Sequence, residues 1–127
     1  MASSTPTDDF FRRDEDHPIP DLDVVDINVV KKGGGSDLII IIASPLQDDT
    51  RSLERLMKKI ERYLGFAKSA EFCAQSGLST IDNTKIIVYI HPDSSPVAFE
   101  LLERCKPWTI ENDVVLEVET NGVAPPH

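Results

Sequence analysis

Residues 38–43 read Leu-Ile-Ile-Ile-Ile-Ala. Ile39 to Ile42 are β-branched and the run is apolar on both faces, which is the pattern of a central strand covered on both sides. Pro45 stops it. Upstream, Lys31-Lys32-Gly33-Gly34-Gly35-Ser36-Asp37 is a turn, because glycines supply the positive φ values that tight hairpins need. A phosphate loop would require a helix straight after the glycines and a Gly-Lys-Ser/Thr sequence, and neither is present. Before the turn, Val25, Ile27 and Val29 alternate with Asp26 and Asn28, so Asp23 to Lys32 reads as a half-buried strand. The two strands are expected to pair as an antiparallel hairpin.

Downstream, Asp48 or Asp49 can cap a helix. Leu53, Leu56, Met57, Ile60, Tyr63 or Leu64, and Ala67 recur at helical spacing, with Glu54, Arg55, Lys58, Lys59, Glu61 and Arg62 on the other side. The helix end falls between Gly65 and Ala74, and residues 75–84 read as loop. Lys85 to His91 is a third strand, closed by Pro92. Ser95 caps a second helix with Pro96 in its first position. Val97, Ala98, Leu101, Leu102 and Cys105 form its buried stripe, and Pro107 is expected to end it. Asp113 to Glu119 is the fourth strand, with Val114, Leu116 and Val118 facing inward. The order β-β-α-β-α-β predicts an α+β protein: a two-layer α/β sandwich whose four-stranded mixed sheet carries two helices on one face, since right-handed crossovers that advance in one direction share a face. A shuffled order of strands remains open at this level. Ile40 and Ile60 are expected in one buried core, with Ile41 replacing Ile40 if the strand faces are reversed.

The chain has 127 residues, one domain's worth, with 13 Lys+Arg against 22 Asp+Glu and a net charge of -9. Such acidity disfavours nucleic acid, whose binding rests on Lys and Arg neutralising phosphates, and disfavours anionic membrane surfaces. No apolar run is long enough for a membrane span and no secretory signal is read at the N-terminus, so a cytoplasmic location is expected. Residues 1–20 are acidic and proline-bearing and read as a disordered tail, with Phe10 and Phe11 as two adjacent aromatics in it. Residues 21–119 form the single domain, and residues 120–127 a second disordered tail. Cys73 and Cys105 fit no metal spacing, and no cofactor is expected. Spacing alone leaves open whether the two pair.

The stretch Asp23-Val24-Val25-Asp26, the apolar strand, and Leu53-xx-Leu56-xxx-Ile60-xx-Tyr63-xx-Phe66 running into Ser69-Ala70-Glu71 resemble a family of small bacterial proteins of unknown function. The resemblance covers about residues 23–118. It implies the same β-β-α-β-α-β core and no activity.

Ser44 and His91 would fall at the same carboxyl edge if strands two and three are parallel neighbours, the edge where open α/β sheets bind ligands. With Asp48, Asp49 or Asp93 they are the parts of a nucleophilic triad. No Gly-x-Ser-x-Gly elbow surrounds Ser44, and the two aspartates already serve as caps, so these residues are weak candidates for a small hydrolase-like enzyme. His17, His91 and His127 are scattered, and Asp21, Asp23 and Asp26 match no calcium loop, so no metal is expected. Trp108, just past Pro107, is either a helix-end packing residue or a binding hot spot. The two helices leave the second sheet face uncovered. It presents Ile39 and Ile41 with Ile87, Tyr89 and His91, or else Leu38, Ile40 and Ile42 with Ile86, Val88 and Ile90. Either way the face is apolar, and such patches mark interfaces. The expected function is therefore a non-catalytic protein-interaction module that forms a homodimer through Ile39, Ile41 and Tyr89. The alternatives are an acidic antagonist of a basic partner, of the immunity-protein kind, and the small enzyme.

Overall fold

A computed structural model of the chain describes residues 13–120. Strands β1 (Ile27–Val30) and β2 (Ser36–Ile42) are followed by helices α1 (Thr50–Ala67) and α2 (Ala70–Ser76), strand β3 (Lys85–Ile90), helix α3 (Pro96–Glu111) and strand β4 (Val115–Glu119). The four strands lie in sequence order in one sheet. β1 and β2 are antiparallel, and β2, β3 and β4 are parallel neighbours. This is the α+β two-layer arrangement that the hydrophobic pattern predicts, with unshuffled strands. Leu56, Ile60 and Leu64 of α1 and Ala98, Leu102 and Cys105 of α3 join Leu38, Ile40, Ile42, Ile86, Val88 and Ile90 in one core. Both long helices therefore cover the same face of the sheet, and Ile40 and Ile60 share that core.

Local chemistry sets the element ends. Asp49 caps α1 by accepting the Ser52 N–H, and Ser95 caps α3 by accepting the Val97 N–H, with Pro96 in the first turn. The hairpin turn closes through Lys31 N–H to Gly35 O and Gly34 N–H to Lys31 O, and Gly34 and Gly35 both have positive φ. The hairpin itself is shorter than the alternation suggests. Asp23 to Asp26 stand outside β1, because the Asp26 side chain, not a backbone ladder, meets β2 there: its Oδ2 accepts the Ile41 N–H at 3.1 Å.

Two helical expectations are corrected. The described residues hold three helices, not two: α1 stops at Ala67, and Ser69 caps the short α2 by accepting the Phe72 N–H. Phe72 is buried edge-on against Phe66, so this extra turn closes one end of the core. Pro107 does not end α3, which runs on to Glu111. A proline inside a helix removes one N–H and crowds the carbonyl four residues back. Here the next turn is held by Thr109, which is fully buried and donates to Lys106 O, and by Asn112, which donates to Trp108 O.

The largest departure lies before β1. Residues 13–20, expected in the disordered tail, form with 21–26 a strap along α1: Arg13 bridges Asp21 and the Asp14 N–H bonds Pro20 O at 2.7 Å, closing a loop, and the chain then runs on to β1. Ile19 and Leu22 are in the core. Arg55 and Lys59, expected on the solvent side of α1, are 0% and 2% exposed beneath the strap. Arg55 donates twice to Ile19 O, at 2.9 and 2.7 Å. Lys59 donates to Asp21 O, to Val24 O at 2.7 Å and to Asp26 Oδ1 at 3.0 Å. Tyr63 accepts the Asp26 N–H and donates to Ile39 O. Strap carbonyls with no strand to pair with are thus satisfied by buried cations, which is why these charges can be buried at all. The ordered unit begins upstream of residue 21. Phe10 and Phe11, and the segment 121–127, lie outside the described residues.

Candidate functional site

The second face of the sheet is built by register. Val29, Asp37, Lys85 and Val115 form one row across the four strands, Ile27, Ile39, Ile87 and Glu117 the next, and Ile41, Tyr89 and Glu119 the third. The apolar residues are contiguous over β1, β2 and β3, and the charges gather toward β4 and the hairpin end. Lys85 meets Glu117 at 2.9 Å, and Lys31 meets Asp37 at 3.2 Å. Ile27, Ile41 and Val29 are 41%, 41% and 46% exposed. Ile39, Ile87, Tyr89 and Val115 are half-buried, by their neighbours within the sheet. The strap lies on the helical side, where Ile19 and Leu22 enter the core. Of the two registers open to the sequence, the structure thus takes the one with Ile39, Ile41 and Tyr89 outward.

The strand edge offers a different picture. β2 and β3 are parallel neighbours, and the His91 N–H bonds Ile42 O at 3.1 Å, so Ser44 and His91 do leave the sheet at the same end. No hydrogen bond joins them among the described residues. The His91 ring turns back on its own loop, where Nδ1 accepts the Asp93 N–H at 3.0 Å. Asp49 is occupied as the α1 cap, accepting from both the N–H and the hydroxyl of Ser52, while Asp48 and Asp93 are exposed. The serine that reaches across this edge is Ser94, buried, whose Oγ accepts the Leu46 N–H at 2.9 Å. It ties two loops together.

Trp108 is half-buried beside a groove of about 440 Å³ between α1 and α3, with Glu54, Met57, Lys58 and Glu61 as its other walls. Met57, expected in the core, is exposed there. Carboxylates and an ammonium alternate along the groove, so it favours neither sign of ligand. Cys73 and Cys105 are free thiols. Burial pushes the Cys105 thiol up, which keeps it protonated and unreactive. No group of three His, Cys, Asp or Glu suited to a metal ion occurs among the described residues. No helix of the described residues is long and apolar enough to cross a membrane.

No family model, curated protein or solved structure matches this chain. The resemblance noted in the first two strands and α1 therefore brings no family with it, and the site has to be read from its own chemistry. What sequence reading missed is the polar side of α1. Arg55, Lys59 and Tyr63 follow one another at i,i+4, a spacing that places them on one face beside the apolar stripe and was the available signal.

Proposed function

We propose that the protein is a non-catalytic interaction module that forms a homodimer through its open sheet face. The observation that carries this reading is the contiguous patch of Ile27, Val29, Ile39, Ile41, Ile87 and Tyr89 with no described element over it. Strand spacing and rise make the face roughly 19 Å by 17 Å. That suits the apolar centre of an interface whose polar rim brings it to about 800 Å² per partner. Two such faces stack at about 10 Å, as in β-sandwiches, giving a helix-sheet-sheet-helix assembly.

Charge favours a second copy over a basic partner. The chain as a whole is at -9, and two copies repel at most surfaces. On this face Lys85 offsets Glu117 and Lys31 offsets Asp37, which leaves Glu119 as the charge without an ion pair among the described residues. A nearly neutral apolar face is where two acidic molecules meet at least cost. It is also poorly suited to an antagonist of a basic protein, which needs uncompensated acids in its interface. A two-fold axis is the common way to bury such a patch.

Sedimentation equilibrium at tens of micromolar is the test. The wild type is expected at twice its chain mass of 14.1 kDa, and Ile41→Arg at the chain mass with an unchanged melting temperature. A wild type that sediments as a clean monomer at that concentration overturns the reading, as does an Ile41→Arg variant that remains a dimer.

A further inference from the structure

His17 sits in the strap, over the first turn of α1, in a chain of hydrogen bonds whose direction is fixed from both ends. The Ile19 N–H donates to His17 Nδ1 at 2.9 Å. His17 Nε2 is 2.9 Å from Ser52 Oγ, and the Ser52 hydroxyl donates to Asp49 Oδ1 at 2.7 Å. An imidazole nitrogen that accepts an N–H carries no proton, so the ring is neutral and its hydrogen is on Nε2, pointing at Ser52. The chain runs from the strap backbone through the ring to the cap of α1 in a single sense.

We infer that His17 is a proton-operated latch: protonation at Nδ1 breaks its bond to the Ile19 N–H and its link to Ser52, and loosens the turn at residues 15–18 from the start of α1. A proton on Nδ1 would face the Ile19 N–H donor to donor, and the ring has to turn away, losing Ser52 with it. The strap beyond Ile19 stays fixed, because Arg55 still holds Ile19 O and Lys59 still holds Asp21 O, Val24 O and Asp26. Upstream, Asp14 stays tied to Pro20 O through its N–H at 2.7 Å and to Arg51 at 2.6 Å, so residues 15–18 are the part that loosens.

The charged groups around the ring bias it toward the neutral form. Arg51 and Arg55 face it from α1, and Asp14 from the strap and Asp49 from the helix cap face it with the opposite sign. Burial comes first, then Arg55 and Arg51, and together they outweigh the two carboxylates and hold the ring below its ordinary 6.5. The sign of the pH dependence follows. A group that binds its proton less readily in the folded chain contributes stability that is complete above pH 6.5 and is lost as pH falls through that value and below. The carboxylates do not confuse this window. Asp14, hydrogen-bonded to Arg51 and within 2.6 Å of it, and Asp49, hydrogen-bonded to Ser52, are both held below the usual 3.8.

The chain contains its own control. His17-Pro18-Ile19 and His91-Pro92-Asp93 make the same turn, each ring Nδ1 accepting the N–H two residues on, at 2.9 and 3.0 Å. The ring at His91 anchors no second element among the described residues, so it shows the same turn without the link to a helix cap.

The experiment is nitrogen NMR of the histidine rings together with amide hydrogen-exchange protection from pH 7.5 to 5 on the full chain. At pH 7.5 the His17 ring should show the Nε2–H form. The protection factors of the Ile19 and His17 amides should fall at least tenfold as His17 titrates, while those of Ile40 and Val88 hold. In His17→Asn, whose side-chain oxygen can accept the Ile19 N–H without titrating, protection at Ile19 should stay constant across the range. A His17 ring in the Nδ1–H form at pH 7.5 overturns the latch irrespective of any variant. So does a wild-type loss of Ile19 protection that does not follow the His17 titration, or one that persists in His17→Asn.

Discussion

Lys59 shows how a single side chain can serve in place of secondary structure. Its ammonium ends under the strap with three oxygens around it, two of them backbone carbonyls that have no strand partner, and with the Tyr63 ring 5.7 Å away. Burying an ammonium costs several kcal/mol, which is recovered only when each proton finds an acceptor. The partners depend on the cation as much as it depends on them. Lys59→Met keeps the volume and removes the charge, so it leaves Asp21 O and Val24 O unsatisfied and the Asp26 carboxylate without its counter-ion. The expected loss is about 3–5 kcal/mol in urea denaturation. A loss under about 1 kcal/mol would show that water reaches these carbonyls and that the strap is not sealed.

At the scale of elements, the hairpin and the loop before β3 are locked by a close approach. Gly35 has φ +81, its N–H bonds Ser76 O at 2.7 Å, and a Cβ built on it would stand 2.0 Å from Asn83 O. Beside it, the buried hydroxyls of Ser36 and Ser76 meet at 2.7 Å. The glycine run thus has two separate tasks. Gly34 and Gly35 let the chain turn, and Gly35 alone lets α2 and the loop after it pack onto the hairpin. Gly33 has nothing within 4 Å of its missing Cβ. Gly35→Ala is therefore expected to cost about 3 kcal/mol, from backbone strain and displacement of Asn83 together. Gly33→Ala should be within about 0.5 kcal/mol of wild type by the same thermal denaturation measurement. Equal effects at the two positions would mean that the turn, and not the approach of Asn83, sets the requirement.

Across the whole molecule, one core carries both layers. Ile40 in the centre of β2 and Ile60 in the middle of α1 are both fully buried, and Ile41, between Ile40 and Ile42, faces outward. Truncating Ile40 or Ile60 to Ala should each cost about 2–5 kcal/mol in chemical denaturation. Ile41→Ala should leave the denaturation of the monomer within about 1 kcal/mol, and its effect should appear in the mass measured by sedimentation. Near-neutral behaviour at both Ile40 and Ile60 would contradict the layering. A large loss at Ile41 in dilute, monomeric protein would mean that something within the chain covers the open face.

The order of the strands and the two long helices, the hairpin, the caps at Asp48 or Asp49 and at Ser95, and the side-by-side position of both long helices were readable from residues 23–119. These features are set by contacts close in sequence: periodicity, glycine and proline conformation, and side chains that bond a backbone group two or three residues on. What was not readable depends on residues far apart in the chain. The burial of Arg55 and Lys59 exists only because carbonyls some 35 residues upstream lie over them, and charged side chains on a helix otherwise default to solvent. The same holds for the strap, whose composition resembles a tail until Ile19 and Leu22 find the core. At the candidate site, hydrophobic alternation identified two possible faces and could not choose between them. That choice belongs to the tertiary structure, because β2 is equally apolar on both sides and only packing under α1 and α3 decides which side is inside.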